Sequence, residues 1–176
     1  AIGTHNAAYA ATVAKVEVNK KTGKITVTDL WAAQDSGLAI NPGLIENQML
    51  GSLMQGTSAA LVEELRYDTH RVTSTDWVTY PMLRFKDHPK VHMNVLQRYD
   101  IPDVQTATLG SNGASTQNGL VERDGIYAGG SGEPALAPVA AAIGNAFFDA
   151  TGVRLYEAPM TPARVRAALK AANFQA

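Results

Sequence analysis

The stretch "YAATVAKVEVNKKTGKITVTDLWAAQD", residues 9–35, decides the fold class. Apolar and polar residues alternate through Tyr9–Val18 and again through Ile25–Asp35, the two-residue period of strands with one buried face. Between them "KKTGK" (Lys20 to Lys24) is a turn, and Gly23 is available for a positive φ there. The stretch reads as a β-hairpin. Next, "SGLAINPG" (Ser36 to Gly43) is a loop, because Asn41 before Pro42 is pushed out of the helical region. Leu44, Ile45, Leu53, Leu61 and Leu65 then recur at helical spacing, which predicts a helix from about Pro42 to Leu65. Gly51 and Gly56 inside it should each cost about 1 kcal/mol against Ala, so close approach of another backbone or of a ligand is expected. Residues 67–73 and 75–80 read as short strands, and "KVHMNVLQRY" (Lys90 to Tyr99) as another.

Residues 100–132 read as irregular and contain the Gly/Ser/Asn/Thr-rich loop "LGSNGASTQNGL" at 109–120; long loops of this kind are functional or disordered. After Glu133 the pattern turns helical through Ala135, Leu136, Val139, Ala140, Ile143 and Phe147. Pro134 suits the first helical position and Gly152 the residue past the end. A last helix opens with Thr161 as N-cap and Pro162 at its first position, with Val165, Ala168 and Leu169 on one face. The mixture predicts an α+β (mixed α/β) fold, strands packed against long helices, in a single unit over residues 1–176.

Composition narrows the class. The 176 residues are enough for a real core, and 45% hydrophobic with 18% charged content is that of an ordinary globular chain. Fifteen Lys+Arg against 16 Asp+Glu give a net charge of -1, without the basic excess that nucleic acid binding calls for. The absence of cysteine removes disulfides and thiolate metal sites. It selects no compartment, so cytoplasm and periplasm both stay open. No segment reaches the roughly 18 unbroken apolar residues of a membrane span. The chain begins without Met, which fits a piece of a longer polypeptide or a processed subunit.

The stretch "YAGGSGEPALAPVAAAIGNAFF" (Tyr127 to Phe148) holds the candidate chemistry. Glycine loops before helices usually cradle phosphate through bare N–H groups. Here Glu133 takes the helix end itself, no Lys-Ser or Lys-Thr follows, and Gly130 and Gly132 lack a third glycine at the dinucleotide spacing. A carboxylate there would repel phosphate. The plainer alternative is a helix cap, which the helix dipole favours by about 0.3–1 kcal/mol. Three glycines beside one acid are more than a cap needs, however, and a general base needs a carboxylate held at a fixed angle in a partly closed pocket.

"GGSGEPALAPVAAAIGNAFFDATGVRL" resembles the C-terminal segment of the molybdenum-binding subunit of the xanthine dehydrogenase/aldehyde oxidase family, with its G-x-G-E-P-type loop and Ala-rich helix. "DSGLAINPGLIENQMLGSLMQGTSAALVEE" (Asp35 to Glu64) resembles a second block of that family, and "ATGVRLYEAPMTPARVRAAL" its usual ending. The branch it looks most like contains isoquinoline, nicotinate and aldehyde oxidoreductases. The resemblance implies that Glu133 is the catalytic base beside molybdenum. A water-derived oxygen would attack an electron-poor carbon of an aldehyde or N-heterocycle, and the electrons would leave through iron–sulfur clusters. It further implies cofactor contacts for Gln55, Gly130, Ser131 and Gly132, with Gln48 a weaker candidate on the Gln55 face. Ser131 departs from the family's usual apolar residue. The implied cofactor is molybdopterin, in its cytosine dinucleotide form, with molybdenum. The implied partners are the rest of the molybdenum subunit, an iron–sulfur subunit and a cytochrome c, and the implied substrate is a small aldehyde or N-heterocycle. The chain alone is then expected to be inactive. A rival class is a non-catalytic interaction or scaffold domain that keeps the fold.

Other residues carry less. His5, His70, His88 and His92 are scattered, which argues against a histidine metal site. Trp31 and Trp77 read as core or interface residues rather than stacking platforms. Ser111 and Ser115 lack the neighbours of a serine nucleophile, and "TQNGL" (Thr116 to Leu120) reads as a turn.

Overall fold

The computed structural model describes residues 1–5, 8–97 and 128–172. Its elements are β1 (Ile2–His5), β2 (Ala8–Asn19), β3 (Lys24–Asp35), α1 (Pro42–Leu61), β4 (Lys90–Val95), α2 (Gly132–Leu136), α3 (Val139–Thr151) and α4 (Pro162–Ala171). The predicted hairpin is β2 and β3, paired antiparallel from Tyr9↔Asp35 to Asn19↔Lys24. Its turn is closed by Asn19 Oδ1, which accepts from the N–H groups of Lys21 at 3.1 Å and Thr22 at 2.9 Å. Gly23 takes φ 77 there. Lys15 pairs with Asp29 but Val16 with Val27, which leaves Thr28 as an extra residue. That bulge changes the parity of β3. Ile25 and Val27 face the core before it; Leu30, Ala32 and Gln34 do so after it.

The sheet runs β1-β2-β3-β4. β4 lies parallel to β3, and α1 belongs to the crossover that a parallel pair requires. The helices cover one face. Leu30 and Val27 meet Met49 and Leu53 of α1, Ile143 and Phe147 of α3, and Val165 and Leu169 of α4 in one buried cluster. On the opposite face Tyr9, Val13 and Trp31 are exposed. The architecture is the mixed α and β one expected.

Asn41 is extended at φ -135, ψ 93, as its place before proline requires, and its Oδ1 accepts from Leu44 N–H at 3.1 Å to start α1. The helix stops at Leu61, short of Leu65. Ser58 O receives both Val62 N–H and Glu63 N–H, which turns the chain out, and Leu65 is exposed. A Cβ on Gly56 would stand 2.8 Å from Val139 Cβ, so the close approach there is made by a side chain rather than by the backbone or ligand expected. At Gly51 nothing among the described residues lies within 4 Å.

The strands expected at 67–73 and 75–80 do not form. Tyr67 and Val72 make a single bridge. Asp68 Oδ1 accepts from His70 and Arg71 N–H, and Asp76 Oδ1 from Val78 and Thr79 N–H. These local bonds take the backbone donors a ladder would use. The helix expected after Glu133 is two helices, parted at Ala137 and Pro138, where proline lacks the N–H that continuity needs. Pro134 is the third residue of α2. Gly152 ends α3 at φ 71, and Thr161 Oγ1 caps α4 by accepting from Arg164 N–H at 3.4 Å. Arg164 also ties α4 to the segment after α1: Nη2 lies 2.6 Å from Glu64 Oε1 and Nε 3.0 Å from Glu157 Oε1. Arg164, and then Arg66, hold the Glu64 carboxyl below its ordinary value. β4 ends at Val95, and the remainder of its expected strand beyond Gln97, the 109–120 loop, Ser111, Ser115 and Thr116–Leu120 lie outside the described residues.

Candidate active site

The glycine loop is docked onto the end of β3. Ala128 bridges to Gly37, and Gly129 N–H donates to Ser36 O at 2.7 Å. Gln34 reaches the loop from the core side. Its Nε2 donates to Ser36 Oγ at 2.7 Å, to Ser131 O at 3.0 Å and, more weakly, to Gly130 O at 3.4 Å. Ser36 Oγ in turn donates to Gly130 O at 3.4 Å. Asp35 Oδ1 accepts from Gly37 N–H at 2.9 Å and shapes the turn that brings Ser36 under the loop.

From the helix side, α1 contributes Gln48 and Ser52. A Cβ built on Gly132 would stand 3.2 Å from Gln48 Oε1 and 3.5 Å from Ser52 Oγ. Glycine at 132 thus lets the loop lie against two polar groups one helical turn apart. At Gly130 nothing among the described residues lies within 4 Å of a Cβ position. Glu133 is the second residue of α2 and is solvent-exposed. Five residues carry little macrodipole, and the 13-residue α3 starts only at Val139. The docked loop, more than a long helix behind it, therefore sets where the Glu133 backbone lies.

Of the expected site residues, Gly130, Ser131, Gly132 and Glu133 come together through this docking. Gln55 stands further along the Gln48–Ser52 face and lines a recess with Ser58, Glu63, Met82 and Phe85. Among the described residues no group of three His, Asp or Glu could hold a metal ion. His92 stacks on Trp31 at 5.1 Å between centroids and donates to Asp29 Oδ1 at 3.3 Å, so Trp31 is an exposed stacking residue rather than a core one. Trp77 is exposed. Sequence reading missed Gln34 and Ser36. The available signal was phase: beyond the bulge Gln34 alternates with Leu30 and Ala32, which puts an amide on the core face.

The molybdopterin cofactor-binding domain family matches residues 3–89. A nicotinate dehydrogenase subunit of Pseudomonas putida is 37% identical over 93% of this chain and 12% of its own length. The beta subunit of isoquinoline 1-oxidoreductase from Brevundimonas diminuta is 30% identical over 89% of this chain and 17% of its own. The aldehyde oxidoreductase of Desulfovibrio gigas superposes with a TM-score of 0.70 at 29% identity, over 93% of this chain and 15% of that structure. The chain thus spans less than a fifth of these relatives. Its residues 3–89 match the molybdopterin cofactor-binding domain, and the chain is similar to a segment of the molybdenum-binding subunits of molybdenum oxidoreductases.

Proposed function

We propose that this chain is part of a molybdenum hydroxylase that oxidises an aldehyde or N-heterocycle with oxygen taken from water, and that Glu133 is its general base. The observation that carries this reading is the docking of the Gly129–Glu133 loop between β3 and α1. Loop, strand end and helix together present one carboxylate on a fixed backbone, as proton transfer demands. The fit to a pterin-held metal rests on three features. Among the described residues, Gly130 has open space at its own Cβ position. Gln48 and Ser52 offer an amide and a hydroxyl at Gly132. Gln34 Oε1 is a buried acceptor without a partner among the described residues, ready for an N–H or O–H of a group lodged at the loop.

Bound there, the molybdenum cofactor supplies the two-electron acceptor and activates the water-derived oxygen. Glu133 receives a proton on its carboxylate. Gly130, Ser131, Gly132 and Gln48 line the cofactor's side of the loop, and Gln55 contacts it further along α1. The balance is that a substrate C–H and water become C–OH, two protons and two electrons. This chain has no cysteine to hold an iron–sulfur cluster, so clusters that would take the electrons lie outside it; we assign them to a partner subunit, with a cytochrome c as the onward acceptor. The cofactor is assigned as the cytosine dinucleotide form. N-heterocyclic substrates are supported by the nicotinate and isoquinoline relatives, and aldehydes by the Desulfovibrio gigas structure.

The rest of the molybdenum subunit is the nearest partner. Val78 at 86% and Phe85 at 96% exposure, with Tyr67 and Trp77 also exposed, are the apolar side chains that the rest of the subunit would cover. The isolated chain is accordingly inactive and binds cofactor weakly. The intact enzyme, purified from its native source, should contain molybdenum and place label from isotopic water into its product. Unlabelled product or molybdenum-free active enzyme would refute the assignment.

A further inference from the structure

We propose that Gln34 is a positioning residue for the loop that carries Glu133, an inference that rests on the reading of Glu133 as base. Gln34 is fully buried on the core face of β3, yet it spends its amide on a loop 96 and 97 residues away in sequence. The orientation of that amide is fixed by chemistry. Gly130 O and Ser131 O are acceptors, so the NH2 end must face them. This leaves Oε1 buried without a partner among the described residues. An apolar side chain of the same size would fill the core without that desolvation penalty. Stability alone is therefore a poor account of glutamine at this place.

The two carbonyls are the ones that matter for Glu133. The Ser131 carbonyl belongs to the peptide that enters Gly132, and Gly132 leads directly to Glu133. Holding that peptide plane from β3, while Gln48 and Ser52 stand against Gly132 from α1, restricts the direction in which the Glu133 side chain leaves the backbone. Ser36 reinforces the clamp, since it accepts from Gln34 and donates to Gly130 O. A misplacement on the order of 1 Å at a reacting group lowers rates by up to about 100-fold.

The test uses the complete molybdenum enzyme with Gln34→Met, Gln34→Glu and Glu133→Gln. Gln34→Met keeps the volume and removes both donors. Its kcat should fall on the order of 10- to 100-fold, with KM and molybdenum content near the parent's. Backbone amides of Gly130–Glu133 should exchange hydrogen faster. Gln34→Glu restores one donor only while its carboxyl is protonated, and burial against two carbonyls pushes that carboxyl up. Its activity relative to Gln34→Met should therefore be highest at acid and neutral pH and vanish at alkaline pH. Parental kcat and parental loop exchange in Gln34→Met would overturn the proposal, as would Gln34→Glu without a pH-dependent advantage. Loss of molybdenum from both Gln34 variants at every pH would overturn it in favour of a purely structural role. Turnover retained by Glu133→Gln would instead remove the base assignment itself, whatever the Gln34 variants do.

Discussion

Glycine to alanine at two positions of one helix should act with opposite sign. At Gly56 the new Cβ would stand 2.8 Å from Val139 Cβ, 2.9 Å from Cγ2 and 3.2 Å from Cγ1. Carbon atoms pack at about 3.5–4.0 Å, so α1 and α3 must part by several tenths of an ångström. Val139 is fully buried and β-branched, so its side chain has little freedom to yield. Overpacking of this kind costs about 1–3 kcal/mol, and the upper half of that range applies with three close atoms. The gain in helix propensity of about 1 kcal/mol offsets part of it, which leaves a net loss of about 1–2 kcal/mol. Gly51 lies in the same helix with nothing among the described residues within 4 Å. There the propensity gain stands alone, and Gly51→Ala should stabilise by about 1 kcal/mol. With a slope near 2 kcal/mol per M in urea, the two unfolding midpoints should lie about 1–1.5 M apart on either side of the parent. A Gly56→Ala variant as stable as the parent, or two shifts of the same sign, would refute the packing of α1 on α3.

Further outcomes follow from single contacts. Phe147→Ala should destabilise by about 3–5 kcal/mol in the same assay, since the ring is fully buried in the central cluster. Asn41→Ala should cost about 1 kcal/mol by removing the 3.1 Å cap to Leu44 N–H; an unchanged midpoint would mean that Pro42 alone starts the helix. Glu64 has its pKa lowered in the fold, chiefly by Arg164. Its contribution is therefore fully present above the ordinary glutamate range and is lost as pH falls through the lowered value. Arg164→Met should weaken that acid-side loss, read as a flatter dependence of the urea midpoint on falling pH. An identical slope in both proteins would contradict the pairing.

What the sequence made legible was local. The hairpin, the Asn41 and Thr161 caps and the Gly152 helix end depend on residues a few positions apart, and period and cap chemistry reveal them. The errors came where a neighbour distant in sequence or a competing side chain decided. Gly51 and Gly56 look alike as letters, and only the arrival of Val139 separates them. Residues 67–80 have strand-like composition, but Asp68 and Asp76 capture the backbone donors locally. α1 stops four residues before its apolar pattern does, because Ser58 O closes it. Pro138 marked the break after α2, yet the apolar spacing of Leu136, Val139 and Ile143 runs straight through it. For the candidate site, the residues alone left Glu133 between a helix cap and a base-presenting loop, and the family resemblance supplied both the base role and the metal. The clamp from Gln34 and Ser36 was not, because its partner lies across the chain and one glutamine in a strand carries no motif.

The central claim is that the carboxylate of Glu133 moves a proton during substrate oxidation. Its most direct test is Glu133→Gln in the complete enzyme, with molybdenum and pterin content measured on the same samples as turnover of an aldehyde and an N-heterocycle. The substitution keeps the side chain's size and removes its basicity. Turnover should fall by at least about 100-fold while cofactor content stays at the parent's level. Undiminished turnover at full cofactor content would contradict the account and leave Glu133 a loop residue at the start of α2.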